Sequence, residues 1–152
     1  MAESEDLELI VDTSKPPVAL VVMRNIRDLP AYQDTLSMIG YEVMTPSSPE
    51  QAEALLAEKS NILLIIVEHN FPQMKGLDLL QKARKSLAQS SSLILLSPND
   101  NVEFERRYLT PAKLTYADLE KNRIQYFNSL TFAMDLERIA RQTARSAGYT
   151  SL

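Results

Sequence analysis

The chain has 152 residues, a length typical of a single domain. Hydrophobic residues make up 45% of it and charged residues 24%, which predicts a globular protein with an apolar core. The absence of cysteine excludes disulfides, thiolate nucleophiles and Cys-based zinc sites, and the net charge of -4 argues against a general attraction to nucleic acid. The longest apolar run, ILLIIV, is far shorter than the ~20 residues of a membrane-spanning helix. Because the acidic N-terminus also lacks the basic start of a signal peptide, we expect a cytoplasmic protein with no membrane partner.

Five short segments have the pattern of β-strands. Continuous apolar runs rich in β-branched residues, such as VALVVM, are typical of strands that are buried on both faces of a parallel sheet. The run ILLIIV is the strongest of these signals. The predicted strands are Val18–Met23, Tyr41–Met44, Ile62–Val67, Ser92–Ser97 and Arg123–Phe127.

Helical patterns alternate with the strands. The first helix is predicted to begin with Asp28 as its cap and to end at Gly40, which suits the left-handed residue after a helix. The second follows Ser48-Pro49-Glu50-Gln51, a capping box with proline at the first helical position. A third helix follows Gly76, and the last is predicted between Leu130 and Ala147.

The segment Asn101–Asn122 is mostly helical by composition, but Thr110-Pro111 interrupts it. A residue before proline avoids the helical conformation, so two short helices or one broken helix are expected there.

The alternation of strands and helices predicts a single α/β domain. It implies a five-stranded parallel sheet with helices on both faces, joined by right-handed crossovers. A chain of this size favours the flavodoxin-like strand order 2-1-3-4-5. Residues 18–147 form this predicted domain, between an acidic N-terminal tail at 1–17 and a loose C-terminal tail at 148–152.

Ligands of this fold bind outside the carboxyl ends of the strands, where the strand order reverses between the first and third strands. Those two ends carry Met23 and Arg24 on one side and Glu68 on the other. Glu68 therefore lies where the fold places chemistry.

The stretch EHNFPQMKG, Glu68 to Gly76, resembles the third-strand motif of CheY-like receiver domains of bacterial two-component signalling. In that family a phospho-accepting Asp is followed by three residues, Pro, three residues and Gly, and Pro72 and Gly76 match the pattern. LVVM and LILLS resemble the first and fourth strands of the family, and the latter ends on a Ser or Thr, here Ser97. The resemblance extends from Val18 to about Arg145 and implies a CheY-like response-regulator receiver domain.

The chain departs from this family at the positions that carry its chemistry. Met23 and Arg24 stand where the resemblance implies an acidic pair that binds Mg²⁺, and neither side chain is a ligand for that ion. Glu68 replaces the phospho-accepting Asp, and Asn128 takes the place of a lysine that contacts the phosphoryl group. Only Ser97 is retained, so the resemblance indicates a degenerate receiver, or pseudo-receiver.

We therefore expect a signalling module that is not an enzyme, needs no metal or cofactor, and acts through protein–protein interaction without aspartyl phosphorylation. Its partner is unknown, a homodimer is one possible form, and nucleic acid is not expected to bind this domain alone. The alternative is a small α/β enzyme or small-ligand-binding domain that uses a pocket around Arg24, Glu68 and Ser97. A third option is a receiver that still binds Mg²⁺ and phosphate through unusual ligands.

An aromatic-rich segment near the fifth strand is the candidate interface, because aromatic residues are enriched in the cores of interfaces. The alternative for at least Tyr126 or Phe127 is packing on the sheet. The candidate interface residues are Phe104, Tyr108, Tyr116, Leu119 and Tyr126.

Two side chains near the switch point carry further hypotheses. Arg24 is a candidate to pair with Glu68 and to replace the lost metal with an attached cation, although it can equally be a solvated surface group. His69, the only histidine of the chain, is expected to be an exposed loop residue.

Overall fold

The computed structural model describes residues 11–24, 26–88, 90–97, 120–121, 123–128 and 131–150, without the side chain of residue 97. Five strands form one parallel sheet in the order β2-β1-β3-β4-β5, which confirms the predicted flavodoxin-like fold. The strands are β1 (Val18–Val22), β2 (Glu42–Met44), β3 (Ile62–Glu68), β4 (Ser92–Ser97) and β5 (Ile124–Asn128).

Four helices in the described residues cover the two faces of the sheet. Two of them, α1 and α4, share an apolar cluster on one face, while α2 and α3 belong to a second cluster on the other face. The helices are α1 (Leu29–Ile39), α2 (Pro49–Glu58), α3 (Gly76–Ser86) and α4 (Ala133–Ser146).

The central strand β1 shows why its sequence is apolar throughout. Val18, Leu20 and Val22 belong to the cluster with α2 and α3, whereas Ala19 and Val21 belong to the cluster with α1 and α4. All five side chains are buried, because neighbouring residues of a strand point to opposite faces and both faces are covered.

The two predicted helix caps have different outcomes. Asp28 stands at the N-cap position of α1, but its side chain makes no capping hydrogen bond, so the predicted cap is wrong in that respect. Ser48 does cap α2, because its hydroxyl accepts a hydrogen bond from the Gln51 N–H at 3.2 Å. The Gln51 side chain, however, accepts from the N–H of Ser47 at 3.0 Å, one residue before the position that a capping box uses.

Both ends of the described chain pack on the amino edge of the sheet. Asn61, directly before β3, donates a hydrogen bond from Nδ2 to the Asp12 carbonyl at 2.6 Å. Tyr149 is buried, and its hydroxyl donates to the Lys15 carbonyl at 2.6 Å and accepts from Asn61 Nδ2 at 3.2 Å. Asp12 and Lys15 thus tie the acidic tail to the sheet, and Tyr149 departs from the predicted loose C-terminal tail, while residues 1–10 and 151–152 lie outside the described chain. We call this set of contacts among Asp12, Lys15, Asn61 and Tyr149 the amino-edge latch.

Candidate functional site

The strand register brings most of the predicted site residues to the carboxyl edge of the sheet. Val22 is paired with Val67, so Met23 and Glu68 follow side by side at the ends of β1 and β3. Ser97 and Asn128 are paired at the ends of β4 and β5. The backbone therefore places all four positions along one edge, although the Ser97 side chain lies outside the description.

Met23 is buried at this edge, with 5% of its surface exposed. It belongs to the apolar cluster of α1 and α4, which also contains the buried Tyr32. Hard cations such as Mg²⁺ bind oxygen ligands, and the thioether of Met23 supplies none. This position therefore contributes to the core and offers nothing to a metal.

Arg24 is exposed, and its side chain contacts the loop that follows β3. Its Nη1 donates a hydrogen bond to the main-chain carbonyl of Asn70 at 3.3 Å. The hydrogen bond that the structure gives Arg24 thus goes to the loop backbone, two residues beyond Glu68, and not to the Glu68 carboxylate. Pairing of Arg24 with Glu68 stays a prediction.

Glu68 ends β3 and is half-buried. Its negative charge contributes to the raised pKa of Tyr32 in α1. That pKa is raised to about 12, chiefly by burial, with smaller effects of the charges of Asp28 and Glu68. The carboxylate therefore acts electrostatically on the side of the sheet that α1 covers.

His69 corrects the expectation of an exposed loop residue, because only 1% of its surface is exposed. Its N–H donates to the Leu96 carbonyl at 3.0 Å, and its own carbonyl accepts from the N–H groups of Phe71 and Gly76 at 3.0 and 3.1 Å. The pKa of His69 is lowered to about 4, mainly by burial and also by the positive charge of Lys75, against an opposing effect of Asp78. The imidazole is therefore neutral at neutral pH.

The turn from β3 into α3 is held by Lys75. Its Nζ donates to the Phe71 carbonyl at 2.8 Å, and its N–H donates to the Asp78 carboxylate at 3.1 Å. These bonds fix the loop that carries Pro72. The sequence signal of Pro72 and Gly76 thus corresponds to an ordered turn beside Glu68.

No group of three or more metal-ligating side chains is placed to hold a metal ion within the described ranges. Glu68 is the only carboxylate among the predicted site residues. A Mg²⁺ ion at this edge would therefore find carboxylate oxygens on Glu68 alone among these residues.

The candidate interface is only partly described. Phe104, Tyr108, Tyr116 and Leu119 lie outside the described residues. Tyr126 in β5 is half-buried and packs against the cluster of α2 and α3, while Phe127 lies against Phe132 with ring centroids 4.9 Å apart. The alternative of packing on the sheet is thus confirmed for both Tyr126 and Phe127.

A cleft of about 610 Å³ opens between the loops that follow β1, β2 and β3. Met23 and Arg24 line it, but Glu68 and Asn128 do not, so it is displaced from the phospho-acceptor position toward β2. Sequence reasoning missed the wall formed by residues 45–48 and Glu50, because the only pattern in that loop is a helix cap, which does not indicate a site.

Comparison with solved structures gives the same fold. No protein-family model matches the sequence, and no curated protein sequence matches it. A response regulator receiver protein from Sinorhizobium medicae superimposes with a TM-score of 0.66 at 16% identity, covering 88% of this chain and 98% of that one. The signal receiver domain of an HD domain-containing protein from Pseudomonas fluorescens gives 0.63 at 23% identity, covering 88% and 98%.

An uncharacterized protein from Neptuniibacter caesariensis gives a TM-score of 0.68 at 18% identity, covering 88% of this chain and 90% of that one. The chain therefore has the CheY-like fold of response-regulator receiver domains. Within the described residues, no helix is both long enough and apolar enough to cross a membrane.

Proposed function

We propose that this chain is a receiver-like signalling module that regulates by binding a protein partner and is not switched by aspartyl phosphorylation. The observation that carries the proposal is Met23, which is 5% exposed and packed in the apolar core where a receiver would hold its metal-binding acid. Arg24 beside it adds a positive charge at the second position of that pair. A metal-dependent phosphoryl transfer then lacks the cation that must neutralise the transferring group.

The nucleophile has changed as well. Glu68 carries one methylene more than the Asp of the family motif, so its carboxylate reaches a different point. Attack on a phosphoryl group depends on alignment within a fraction of an ångström. A longer side chain without its metal is therefore poorly placed to accept phosphate.

Loss of phosphorylation has a consequence for signalling. A ligand shifts a conformational equilibrium only by its different affinity for the two states. Without a phosphoryl group at Glu68, nothing draws Ser97 inward, and the module keeps one conformation. We propose that it acts in the cytoplasm as a non-enzymatic binding module, and that the segment with Phe104, Tyr108 and Tyr116 contributes to its partner or self-association surface.

The test is incubation with acetyl phosphate and Mg²⁺, followed by intact mass spectrometry. We expect no phosphorylated species and no spectral change with magnesium and beryllofluoride, a phosphoryl mimic. A mass increase of one phosphoryl group that disappears in Glu68→Gln would overturn the proposal. A receiver with an intact acidic pair serves as the positive control for the reagents.

The surface is tested separately by replacing Phe104, Tyr108 and Tyr116 singly with Asp. Circular dichroism checks the fold, and co-purification and sedimentation measure partner capture and self-association. At least one folded variant is expected to lose an interaction. If all three bind as the parent does, the functional surface lies elsewhere.

A further inference from the structure

The cleft between the loops after β1, β2 and β3 has an apolar floor. Met23 and Phe71 form part of its lining and are almost completely buried, at 5% and 4% exposure. Ile26 stands at its edge with 73% of its surface exposed, and Pro72 is exposed on the side of β3. Covering the Ile26 side chain beside this apolar floor is favourable, because apolar surface is then removed from water.

The cleft is also electrically polarised. Arg24 and Glu50 are the only ionisable groups among the described residues that line it. The Arg24 guanidinium is fixed to the β3 side by its hydrogen bond to Asn70, whereas Glu50 lies in the first turn of α2 on the β2 side. The two charges therefore stand on opposite walls.

Both charges are exposed to solvent, and neither takes part in the ion pairs found within the described residues. Arg24 uses one N–H of its guanidinium in its bond to Asn70. A guanidinium has five N–H donors, so several remain to receive a carboxylate.

From the floor, the exposed edge and the two charges, we infer that this cleft docks a short segment of a partner protein in which an apolar side chain lies between an acidic and a basic residue. The apolar side chain enters above Met23 and Phe71 and covers Ile26, the acid meets Arg24, and the base meets Glu50. The inference rests on the proposed function as a binding module, and it names a docking surface distinct from the segment around Phe104.

A peptide segment fits better than a small molecule because the edge of the cleft is open. Sites for small molecules bury most of the ligand surface, typically 70–90% of it. Here Arg24, Ile26, Glu50 and Pro72 are all exposed, so the groups that would confer specificity surround the hollow and do not enclose it. Opposite charges on the two walls also set the direction in which an extended segment lies.

The experiment selects peptides that bind the intact chain from a displayed library of random short peptides. Enriched peptides are expected to carry the acid–apolar–base pattern and to shift the amide NMR signals of the three cleft loops. Affinity for the best peptide should fall at least about tenfold in Arg24→Glu, which places a carboxylate against the acid of the peptide, and in Ile26→Asp, which places one against its apolar side chain. Met38→Asp is the matched control, because Met38 is 75% exposed on the far end of α1, and it should bind as the parent does.

Exchanging the two charges of the cleft provides the most specific test. The double variant Arg24→Glu/Glu50→Arg reverses the polarity of the cleft, and it should prefer a peptide whose acidic and basic residues are exchanged. Circular dichroism confirms that each variant is folded. The inference is overturned if enriched peptides lack the pattern, if their signals map elsewhere, or if Ile26→Asp and the charge reversals leave affinity unchanged.

Other occupants give different results. Arg24-dependent binding of octanoate without any peptide binding would identify a small-ligand site, and self-association lost in Ile26→Asp would identify a second copy of the chain. Either result overturns the inference of a partner segment. A partner that co-purifies equally with the parent and with Ile26→Asp leaves the proposed function standing and removes the cleft as its docking surface, whereas phosphorylation of Glu68 overturns the proposed function alone.

Discussion

Gly76 lies directly against the main-chain carbonyl of Glu68. A β carbon built on Gly76 would stand 2.9 Å from the Glu68 carbonyl carbon and 3.0 Å from the α carbon of His69, with the Glu68 oxygen nearer still. Real β carbons do not approach backbone this closely. The glycine of the motif therefore lets the start of α3 pack on the end of β3, independently of any phosphorylation.

Gly76→Ala should destabilise the fold by about 1–3 kcal/mol, because the methyl group meets backbone that can relax only by moving α3 away from β3. Urea unfolding followed by circular dichroism measures the change. Ala54→Ser, on the exposed side of α2, is the control and should change stability by less than about 0.5 kcal/mol. An alanine variant as stable as the parent would show that the close approach is absent in solution.

Removing the Tyr149 hydroxyl tests the amino-edge latch. Tyr149→Phe keeps the buried ring but loses the bonds to Lys15 and Asn61, so a loss of about 1–2 kcal/mol is expected. The midpoint of chemical unfolding measures it. A midpoint equal to that of the parent would mean that water replaces the hydroxyl without cost.

Asn61 separates the side-chain and backbone contributions to the same latch. Its φ of 64° lies in the left-handed region, where a β carbon is disfavoured and glycine is not. Asn61→Gly loses the side-chain bonds alone, whereas Asn61→Ala also strains the backbone and should be less stable than the glycine variant by about 1 kcal/mol. Equal stabilities would argue that the positive φ is not retained in the variants.

The buried imidazole of His69 should make the stability of the fold depend on pH. In the unfolded chain the imidazole takes up a proton around its usual pKa of 6.5, whereas in the folded chain its pKa is about 4. Between these values the unfolded state binds more protons, so stability falls as pH drops from 6.5 to 4, by up to roughly 3 kcal/mol, and this contribution does not change above 6.5.

Because the chain has one histidine, its NMR titration is unambiguous. The ring signals should remain those of the neutral form down to about pH 5.5. His69→Gln should reduce the acid sensitivity measured by urea unfolding. A ring that titrates near 6.5 in the folded protein would contradict the burial of His69.

The hypothesis of an Arg24–Glu68 pair is tested by a double-mutant cycle with Arg24→Met and Glu68→Gln. Because Arg24 is exposed, the coupling energy should be about 1 kcal/mol or less, and it should shrink with added salt. A value indistinguishable from zero would leave Arg24 bound to the loop alone. Unfolding in urea at low and high salt supplies the four stabilities.

The sheet could be predicted from the sequence because burial on both faces leaves a simple pattern. ILLIIV in β3 and SLILLS in β4 are apolar at nearly every position, and the structure places both strands where they were expected. The strand boundaries differ little from the predicted ones. β1 ends one residue earlier than predicted, and β3 ends one residue later. The strand order follows from the size of the chain, because five strands that alternate with helices at this length favour the flavodoxin-like arrangement.

The surroundings of individual side chains were harder to predict. His69 follows a strand and precedes a polar loop, which suggests exposure, but the turn into α3 folds back over it and buries it. The latch likewise depends on Asn61 and Tyr149, which are 88 residues apart in sequence and meet only in the folded chain. Polar contacts of this kind leave no local periodicity from which they could be inferred.

The amino-edge latch also determines how the molecule can be held. The Tyr149 hydroxyl lies 3.2 Å from the Asp12 carbonyl. The segments around these two residues therefore lie side by side at the edge of the sheet where the strands begin. A tether attached near either of these residues leaves from the same place, and the loops after β1, β2 and β3 point the opposite way. A module immobilised through that edge, on a support or beside another polypeptide, would present its cleft outward.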